Sequence, residues 1–266
     1  MAGKAAQLVF TDPPYNVPID GHVCGLGRTR HPDFAMASGE MSEAEFTAFL
    51  TTVLGHAAGH SADGALHFVF MDWRHLIELL TAGRAIYREL KNLCVWVKDN
   101  GGMGSLYRSQ HELVLVFKSG SAAHVNNVEL GRHGRNRSNV WRYPGVNSVG
   151  AGRLEELRLH PTVKPVQMVA DAILDASKRR GVVLDPFLGS GTTLLAAERT
   201  GRQACGLELE PRYVDVAIRR WQEHTGRAAV HVESGLTFDG LAEHRAAAPA
   251  AAVKAARQPG AAARAR

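Results

Sequence analysis

Four consecutive residues near the start of the chain carry groups that could hold an amino group for chemistry. They are Asp12-Pro13-Pro14-Tyr15, and they directly follow the apolar segment Gln7–Thr11. Two successive prolines make the turn rigid and remove two backbone N–H donors, so a carboxylate, a carbonyl and an aromatic ring project together. Open α/β sheets bind ligands at the carboxyl ends of their strands. The pattern predicts a site; the alternative is an ordinary proline turn with a surface tyrosine.

A glycine-rich turn in the last third of the chain is a second candidate site. Asp185-Pro186-Phe187-Leu188-Gly189-Ser190-Gly191-Thr192-Thr193 follows an apolar segment. Small residues let backbone amides approach a ligand closely, and a helix N-terminus favours an anionic group. Glu208 lies nineteen residues after Gly189, where an acid can accept both hydroxyls of a ribose. Because Leu194 replaces the third glycine of the dinucleotide fingerprint, the pattern predicts a nucleoside cofactor without identifying it.

Positive charge is concentrated locally. The net charge is +5, and residues from Leu241 onward contribute +4 of it, so the global charge says little about a polyanionic partner. Residues 131–153, by contrast, contain five arginines and no acid: Arg132, Arg135, Arg137, Arg142 and Arg153. Such a stretch could attract phosphate groups. A solvated basic surface loop is the alternative interpretation.

Short apolar runs alternate with helical patterns along most of the chain. The predicted strands are Gln7–Thr11, Ala65–Met71, Cys94–Lys98, Leu113–Phe117, Val182–Leu184 and Gln203–Leu207. The predicted helices are Ser42–His60, Asp72–Leu90, Pro165–Lys178, Thr192–Thr200 and Arg212–His224. Ser42 and Glu45 form a capping-box pattern at the start of the first helix. The alternation predicts an α/β fold with a mainly parallel sheet covered on both faces.

Two regions lack this alternation. Residues 119–160 are rich in Gly, Asn, Ser and Arg and are too long for a simple connection, which predicts a functional insertion. Residues 246–266 are Ala/Pro/Arg-rich and predict a disordered tail. No stretch of 18 apolar residues and no secretory signal is present, so no membrane association is expected. The three cysteines are far apart, which predicts free thiols in the cytoplasm and no metal site.

The two candidate sites occur together in a known order. Asp-Pro-Pro-Tyr preceding Phe-x-Gly-x-Gly resembles the amino-methylating DNA methyltransferases of the β group, which make N6-methyladenine or N4-methylcytosine from S-adenosylmethionine. The likeness covers residues 8–244 and extends to the methylase part of ParB-like fusion proteins. Secondary matches are Trp96-Val97-Lys98, Tyr107, His111-Glu112, His160-Pro161-Thr162-Val163-Lys164-Pro165 and Glu208-Leu209-Glu210-Pro211-Arg212-Tyr213.

The resemblance implies a Rossmann-like, S-adenosylmethionine-dependent methyltransferase fold. Its mostly parallel sheet is circularly permuted, with helices on both faces and Gln7–Thr11 beside Val182–Leu184. It implies a site-specific enzyme that methylates adenine N6 on a base flipped out of double-stranded DNA. Asp at the first motif position favours adenine, whereas Ser favours cytosine N4, so N4 methylation is the alternative activity.

The resemblance also assigns roles to residues. Asp12 and the Pro13 carbonyl would accept the amine hydrogens, Pro14 would stiffen the turn, and Tyr15 would stack on the base. Lys164, with Thr162 beside it, would meet the cofactor carboxylate, and Glu208 would hold the ribose. The rest of the cofactor site would be Asp185, Phe187, Gly189, Ser190, Gly191 and Thr192. Arg132, Arg135, Arg137 and Arg142 would contact DNA. No histidine is assigned as a general base.

The implied organisation has four parts. Residues 1–118 would be the catalytic half, 119–160 the target-recognition insertion, 161–245 the cofactor-binding half and 246–266 the tail. The loop 17–41, with Arg28 and Arg30, could be a lid over the base. Related enzymes often form dimers, so a homodimer stays open. The competing hypotheses are a nucleotide-dependent enzyme of another class, an idle DNA-binding module, and RNA or protein methylation.

Overall fold

The computed structural model describes residues 1, 3–17, 39–102, 106–132, 136–145 and 163–246. Seven strands are present in this part of the chain: β1 Ala6–Thr11, β2 Ser61–Met71, β3 Glu89–Val97, β4 His111–Lys118, β5 Val140–Arg142, β6 Val182–Asp185 and β7 Gln203–Gly206. The helices are α1 Glu43–Gly59, α2 Leu76–Ile86, α3 Val166–Ala176, α4 Thr192–Thr200 and α5 Pro211–Thr225.

The strands form one sheet in the order β5-β3-β4-β2-β1-β6-β7. β1 pairs in parallel with β2 and with β6, and Leu8 lies opposite Val183. β4 runs antiparallel to both of its neighbours, whereas the other described pairs are parallel. The first strand of the chain therefore lies beside one that follows it by some 170 residues, which confirms the predicted permuted, mostly parallel sheet.

Helices cover both faces of the sheet because the central strands bury side chains on both sides. Phe68 and Phe70 of β2 belong to one core cluster, together with residues of α3 and α4 such as Met168 and Ala196. Val69 and Met71 belong to another, together with Phe46, Leu50 and Leu54 of α1 and Leu79 of α2. The strict alternation along β2 follows from the two-residue period of a strand.

Three predicted elements have wrong boundaries, and the first is the strand predicted at Ala65–Met71, which begins at Ser61. The helix predicted at Asp72–Leu90 spans only Leu76–Ile86, because the Asp72 carboxylate caps a short 3₁₀ turn, Trp73–His75, and the backbone at Tyr87 is extended. β3 starts at Glu89 rather than Cys94, since residues 89–93 pair with the far end of β4. The capping box of Ser42 and Glu45 is present.

The region 119–160 contains one strand within its described residues. β5 pairs with β3 at the sheet edge, and three residues are too few to show a period in the sequence. By backbone contacts the chain divides into Met1–Ala217 and Ile218–Arg266. In the second unit, Val230 and Thr237 form an isolated bridge and residues 238–246 are helical. No helix within the described ranges is long and apolar enough to cross a bilayer.

Candidate active site

The sheet brings chemistry-bearing residues from distant parts of the sequence to one edge. Asp12 follows β1, Asp185 ends β6, and both strands run in the same direction. β4 runs the opposite way, so its first residues lie at this edge, where Val97 pairs with His111. Glu112 on β4 and Lys98 after β3 therefore lie at the carboxyl ends of the parallel strands, which is where open α/β sheets place their sites.

Asp12 is held in a cluster of charged side chains. The Lys164 Nζ lies 2.6 Å from Asp12 Oδ2 and 2.9 Å from Glu112 Oε2. The Tyr15 hydroxyl lies 2.6 Å from Asp12 Oδ1 and 3.0 Å from Glu112 Oε2. Lys98 Nζ lies 2.6 Å from Glu112 Oε1. Two carboxylates are thus matched by two ammonium groups around one tyrosine.

Burial and neighbouring charges shift the pKa values in this cluster. Burial raises the pKa of Asp12, against the opposing effect of Lys164, and the nearby Glu112 charge raises it further. Burial acts the same way on Glu112, but Lys164 and Lys98 outweigh it and lower the pKa of Glu112 well below its usual range. Burial likewise opposes the charge of Lys164, yet Asp12 and Glu112 raise its pKa. Asp12 is therefore the more basic of the two carboxylates in the cluster.

The Tyr15 ring lies beside the Lys164 ammonium, which is 5.6 Å from the ring centre. The pKa of its hydroxyl is raised well above the usual value by burial and by the charges of Asp12 and Glu112. The phenol is consequently neutral and donates a single proton to one carboxylate at a time. Tyr15 touches the carboxylate that the sequence paired with it, and a second one that the sequence did not.

Asp185 organises the start of the glycine-rich turn. Its Oδ1 accepts a hydrogen bond from the Phe187 amide at 3.1 Å, and its Oδ2 accepts one from the Thr193 hydroxyl at 2.6 Å. The carboxyl is buried, and burial raises its pKa to about 7 although these hydrogen bonds oppose the shift. Asp185 therefore ties both ends of the turn together.

Glu208 closes the same turn from the next strand. Its Oε2 accepts a hydrogen bond from the Gly189 amide at 2.7 Å, and its Oε1 accepts one from the Glu210 amide at 2.9 Å.

Gly191, with φ +83°, is the N-cap of α4, and a Cβ there would lie 2.7 Å from the Cβ of Ala217. Glycine is required at that position both for the left-handed backbone and for the close packing.

One cavity of about 1070 Å³ joins the two candidate sites. Its lining includes Tyr15 of the first motif, Gly189 of the glycine-rich turn, Glu208, and apolar residues such as Phe49 and Leu207. The remaining predicted residues that line it are Asp12, Pro13, Pro14, Lys164, Asp185, Phe187, Ser190 and Thr192. The distant motifs therefore share a cleft that is wide enough for a nucleoside-sized ligand and a second reactant.

Lys164 lines the cavity, and its ammonium lies between the carboxylates of Asp12 and Glu112. The contact with a cofactor carboxylate that the resemblance implied stays a prediction. Residue 164 directly precedes α3, and its side chain reaches Asp12 after β1 and Glu112 on β4. Thr162, the other half of that prediction, lies outside the described residues.

Three site residues received no role from the sequence. Glu112 and Lys98 belong to quoted motif matches, but their function depends on the reversed direction of β4, which no local pattern reveals. Phe49 of α1 lines the cavity, with its ring centre 6.0 Å from that of Phe187. A period-3.6 apolar pattern predicts that Phe49 faces the protein, but not that it faces a ligand cavity.

The predicted DNA-contacting arginines lie in different environments. Arg132 is 75% exposed and lies 3.8 Å from Glu129, and Arg142 is exposed on β5. Arg137 instead points to α3, where its Nε lies 2.8 Å from Asp175 and its Nη1 lies 3.3 Å from the Tyr143 hydroxyl. Arg135 lies outside the described residues, as do Arg28 and Arg30 of the predicted lid.

Known proteins resemble this chain in sequence. The type II methyltransferase M.ScaI of Streptomyces caespitosus is 40% identical over 87 residues, which cover 33% of this chain and 29% of that protein. The type II methyltransferase M.HinfI of Haemophilus influenzae is 26% identical over 238 residues, 83% of this chain and 64% of that protein. The matches thus span less than two thirds of the length of either relative.

Solved structures share the fold at low sequence identity. The M1.HpyAVI–SAM complex superposes with a TM-score of 0.60 at 20% identity, covering 83% of this chain and 90% of that one. The cytosine-N4-specific PvuII DNA methyltransferase gives a TM-score of 0.62 at 16% identity, covering 83% and 82%. These likenesses support the Rossmann-like methyltransferase fold.

A family model for DNA methylases matches residues 6–219. The match includes Asp12 and its proline turn, Lys164, the glycine-rich turn and Glu208, which are the residues that the sheet brings to one cavity. By that match, over most of its length, this chain belongs to the DNA methylase family.

Proposed function

We propose that this chain is a site-specific DNA methyltransferase that transfers a methyl group from S-adenosylmethionine to the N6 atom of an adenine flipped out of double-stranded DNA. The observation that carries the proposal is the single cavity shared by the Asp12 motif and the glycine-rich turn. Membership of the DNA methylase family supports it, as does the likeness to M1.HpyAVI solved in complex with SAM.

The glycine-rich side of the cavity fits this cofactor. Glu208 offers a carboxylate for two ribose hydroxyls, and its present partner, the Gly189 amide, lies 2.7 Å away. The glycine-rich turn that contacts Glu208 contains the other predicted cofactor-binding residues: Asp185, Phe187, Ser190, Gly191 and Thr192. When bound, S-adenosylmethionine supplies a methyl group activated by a sulfonium, so this chain needs to orient reactants rather than generate an electrophile.

The other side of the cavity suits an aromatic amine. The lone pair of an exocyclic amine is delocalised into the base, which makes the nitrogen a weak nucleophile. Hydrogen bonds from its two protons to Asp12 and to the Pro13 carbonyl favour a pyramidal nitrogen, while Tyr15 and Pro14 bound the slot for the ring. Holding the reacting atoms about 3 Å apart supplies much of the acceleration in such a reaction.

The reaction also releases a proton. The amine nitrogen becomes strongly acidic once it carries the methyl group, so no strong general base is required. Asp12 is the carboxylate nearest to that nitrogen in the proposal, and its pKa is raised by burial, so it can take the proton and pass it to solvent. The nitrogen then carries one methyl group and one hydrogen, with no net charge.

The identity of the base is the finer part of the proposal. Asp at the first motif position favours adenine, whereas the neighbour PvuII is by its name cytosine-N4-specific. DNA from a host that expresses the chain is digested to nucleosides, and the methylated product is identified by mass spectrometry. This measurement distinguishes the two activities. N6-methyladenine is expected; N4-methylcytosine would overturn the adenine assignment but not methyl transfer.

The active site is tested by Asp12→Ala with a control on the same sheet. Methyl incorporation should fall by about a thousandfold or more because both the acceptor for the amine and its orientation are lost. Binding of S-adenosylmethionine, measured by calorimetry, should stay within about threefold. Glu89→Gln, at the far end of β3, should leave activity unchanged. Selective binding of NAD by the wild type would contradict the cofactor assignment.

The exposed arginines of the region 119–160 are proposed as the DNA-contacting surface. Arg132 and Arg142 are exposed and available to phosphates or guanine edges, with Arg135 as the third candidate. Arg132→Ala combined with Arg142→Ala should weaken DNA binding and flatten its salt dependence. Cofactor affinity should not change, and unaltered DNA binding would reject the surface.

Sedimentation of the enzyme with and without DNA tests the homodimer.

A further inference from the structure

We propose that Glu112, anchored by Lys98, is a positioning residue for methyl transfer: it seats the Lys164 ammonium beside Asp12 and thereby sets the orientation and the charge environment of that carboxylate. The inference rests on the proposed methyltransferase function and adds a second layer to its site. Its basis is a closed ring of short polar contacts in which Asp12 is only one of four members.

The ring passes through four side chains and returns to its start. Lys164 Nζ bridges Asp12 Oδ2, at 2.6 Å, and Glu112 Oε2, at 2.9 Å. Tyr15 bridges the same two residues on the other side, at 2.6 Å and 3.0 Å. Both oxygens of Asp12 are therefore oriented by groups that also contact Glu112. A rotation of Asp12 away from its present orientation would break two contacts.

Lys98 fixes the free end of Glu112. Its Nζ lies 2.6 Å from Glu112 Oε1, and its side chain is 27% exposed, whereas those of Glu112 and Lys164 are 12% and 7% exposed. Burying a charge without a partner is costly, so Lys164 needs both carboxylates and Glu112 needs both lysines. With Lys98 paired to Glu112, the two carboxylates next to Lys164 are matched by two ammonium groups.

The charge environment of Asp12 follows from this arrangement. The charged and titratable groups that interact with it are Lys164, Glu112, Tyr15 and Asp185. Glu112 raises the pKa of Asp12, while Lys164 lowers it. Removing the charge of Glu112 leaves Lys164 paired with Asp12 alone and should lower the pKa of Asp12. Removing the charge of Lys98 should raise it.

Two isosteric or near-isosteric changes therefore have opposite effects on the pH dependence of the rate. In Glu112→Gln, the acidic limb of the kcat profile should move to lower pH; in Lys98→Met, it should move to higher pH. The double variant restores the charge balance and should return the limb toward the wild-type position. In Glu112→Gln, Lys164 loses one of its two ion pairs. The kcat of this variant should therefore fall about 10- to 100-fold, whereas its KM for DNA should stay within about threefold of the wild-type value.

The controls separate a positioning role from a structural one. Glu112→Asp keeps the charge and should recover part of kcat. Glu89→Gln and Lys91→Met remove the two members of an exposed ion pair on β3 and should leave the profile unchanged. Thermal unfolding and calorimetry with S-adenosylmethionine verify folding and cofactor binding. Because Lys98 is partly exposed, Lys98→Met tests the inference even where Glu112→Gln fails to fold.

The outcomes are distinct. Opposite shifts of the two limbs, with restoration in the double variant, support the positioning role. Limbs that stay in place, or that move in the same direction, overturn it. Absence of any methylated product from the wild type on DNA that contains many sequence contexts rejects the proposed function instead, and the two failures are not confused.

Discussion

Two carboxylates on the cofactor side of the cavity have different environments and should respond differently to substitution. Asp185 is buried and accepts hydrogen bonds within its own turn. Glu208 is partly exposed and accepts two backbone amides at the cavity wall. The first therefore contributes mainly to the conformation of the turn, whereas the second presents oxygens to a ligand.

Glu208→Ala should weaken the binding of S-adenosylmethionine about tenfold or more, or about 1.4 kcal/mol per factor of ten. The reason is the loss of the acceptors for two hydroxyl groups. Isothermal calorimetry measures the change. Glu223→Ala, at an exposed position of α5, is the matched control and should bind as the wild type does. Equal affinities in the two variants would contradict the ribose assignment.

Asp185→Asn should alter the pH dependence of stability. The pKa of Asp185 is raised from 3.8 to about 7 by burial, so between these values the folded protein binds a proton that the unfolded chain does not. The free energy of unfolding contributed by this group is full below pH 4 and falls as the pH rises through about 7, by no more than about 4 kcal/mol. Asn carries no such titration.

Urea unfolding from about pH 5 to pH 8 tests this expectation. The stability of Asp185→Asn relative to the wild type should rise with pH over that range. A difference that is constant, or that falls with pH, would show that the carboxyl does not titrate in this window.

Among the elements, α3 and the segment 136–145 are joined by a polar network. Arg137 lies 2.8 Å from Asp175 and 3.8 Å from Asp171, and Tyr143 donates a hydrogen bond to Asp171 at 2.6 Å. Trp96 of β3 also donates to the Tyr143 carbonyl at 2.9 Å. The network joins β5 and its flanks to α3 and β3, so Arg137, which was predicted to contact DNA, has structural partners of its own.

Arg137→Met should lower the free energy of unfolding by about 1–2 kcal/mol, because it leaves the partly buried Asp175 without its cation. Arg132→Met, whose side chain is 75% exposed, should change stability by less than about 0.5 kcal/mol. Urea titrations of both variants compare them directly. At low salt, by contrast, Arg132→Met should reduce DNA affinity more than Arg137→Met does. The reverse order in stability or in DNA affinity would contradict this division of roles.

At the scale of the whole molecule, much of the net charge belongs to the end of the sequence. Residues 247–266 carry Lys254, Arg257, Arg264 and Arg266 and no acid, so a chain ending at Ala246 has a net charge of +1 rather than +5. Polyanion binding depends on such charges through counterion release.

Truncation after Ala246 should therefore lower DNA affinity at low salt and reduce the salt slope by up to about 4, while kcat at saturating DNA stays unchanged. Filter binding over a range of salt concentrations, together with steady-state rates, measures both. A truncated chain with an unaltered slope would show that the basic end does not contact DNA.

The pattern of residues along the chain predicted the α/β fold class and the two motifs that share the cavity, whereas the resemblance to a family predicted that β1 lies beside β6. The fold class and the motifs depend on local chemistry. A double proline, a glycine-rich turn, a capping box and alternating apolar residues act over a few residues each, and their order along the chain is typical of one family.

The tertiary structure alone decided which charges meet. Glu112 reaches Asp12 because β4 runs against its neighbours, Lys164 lies between the two because the start of α3 approaches that edge, and Arg137 is drawn to α3 by Asp175. Coulombic and hydrogen-bond partners depend on distances across the fold, and separation in sequence does not encode those distances. The positions of the motifs were therefore predictable, whereas the network that positions Asp12 was not.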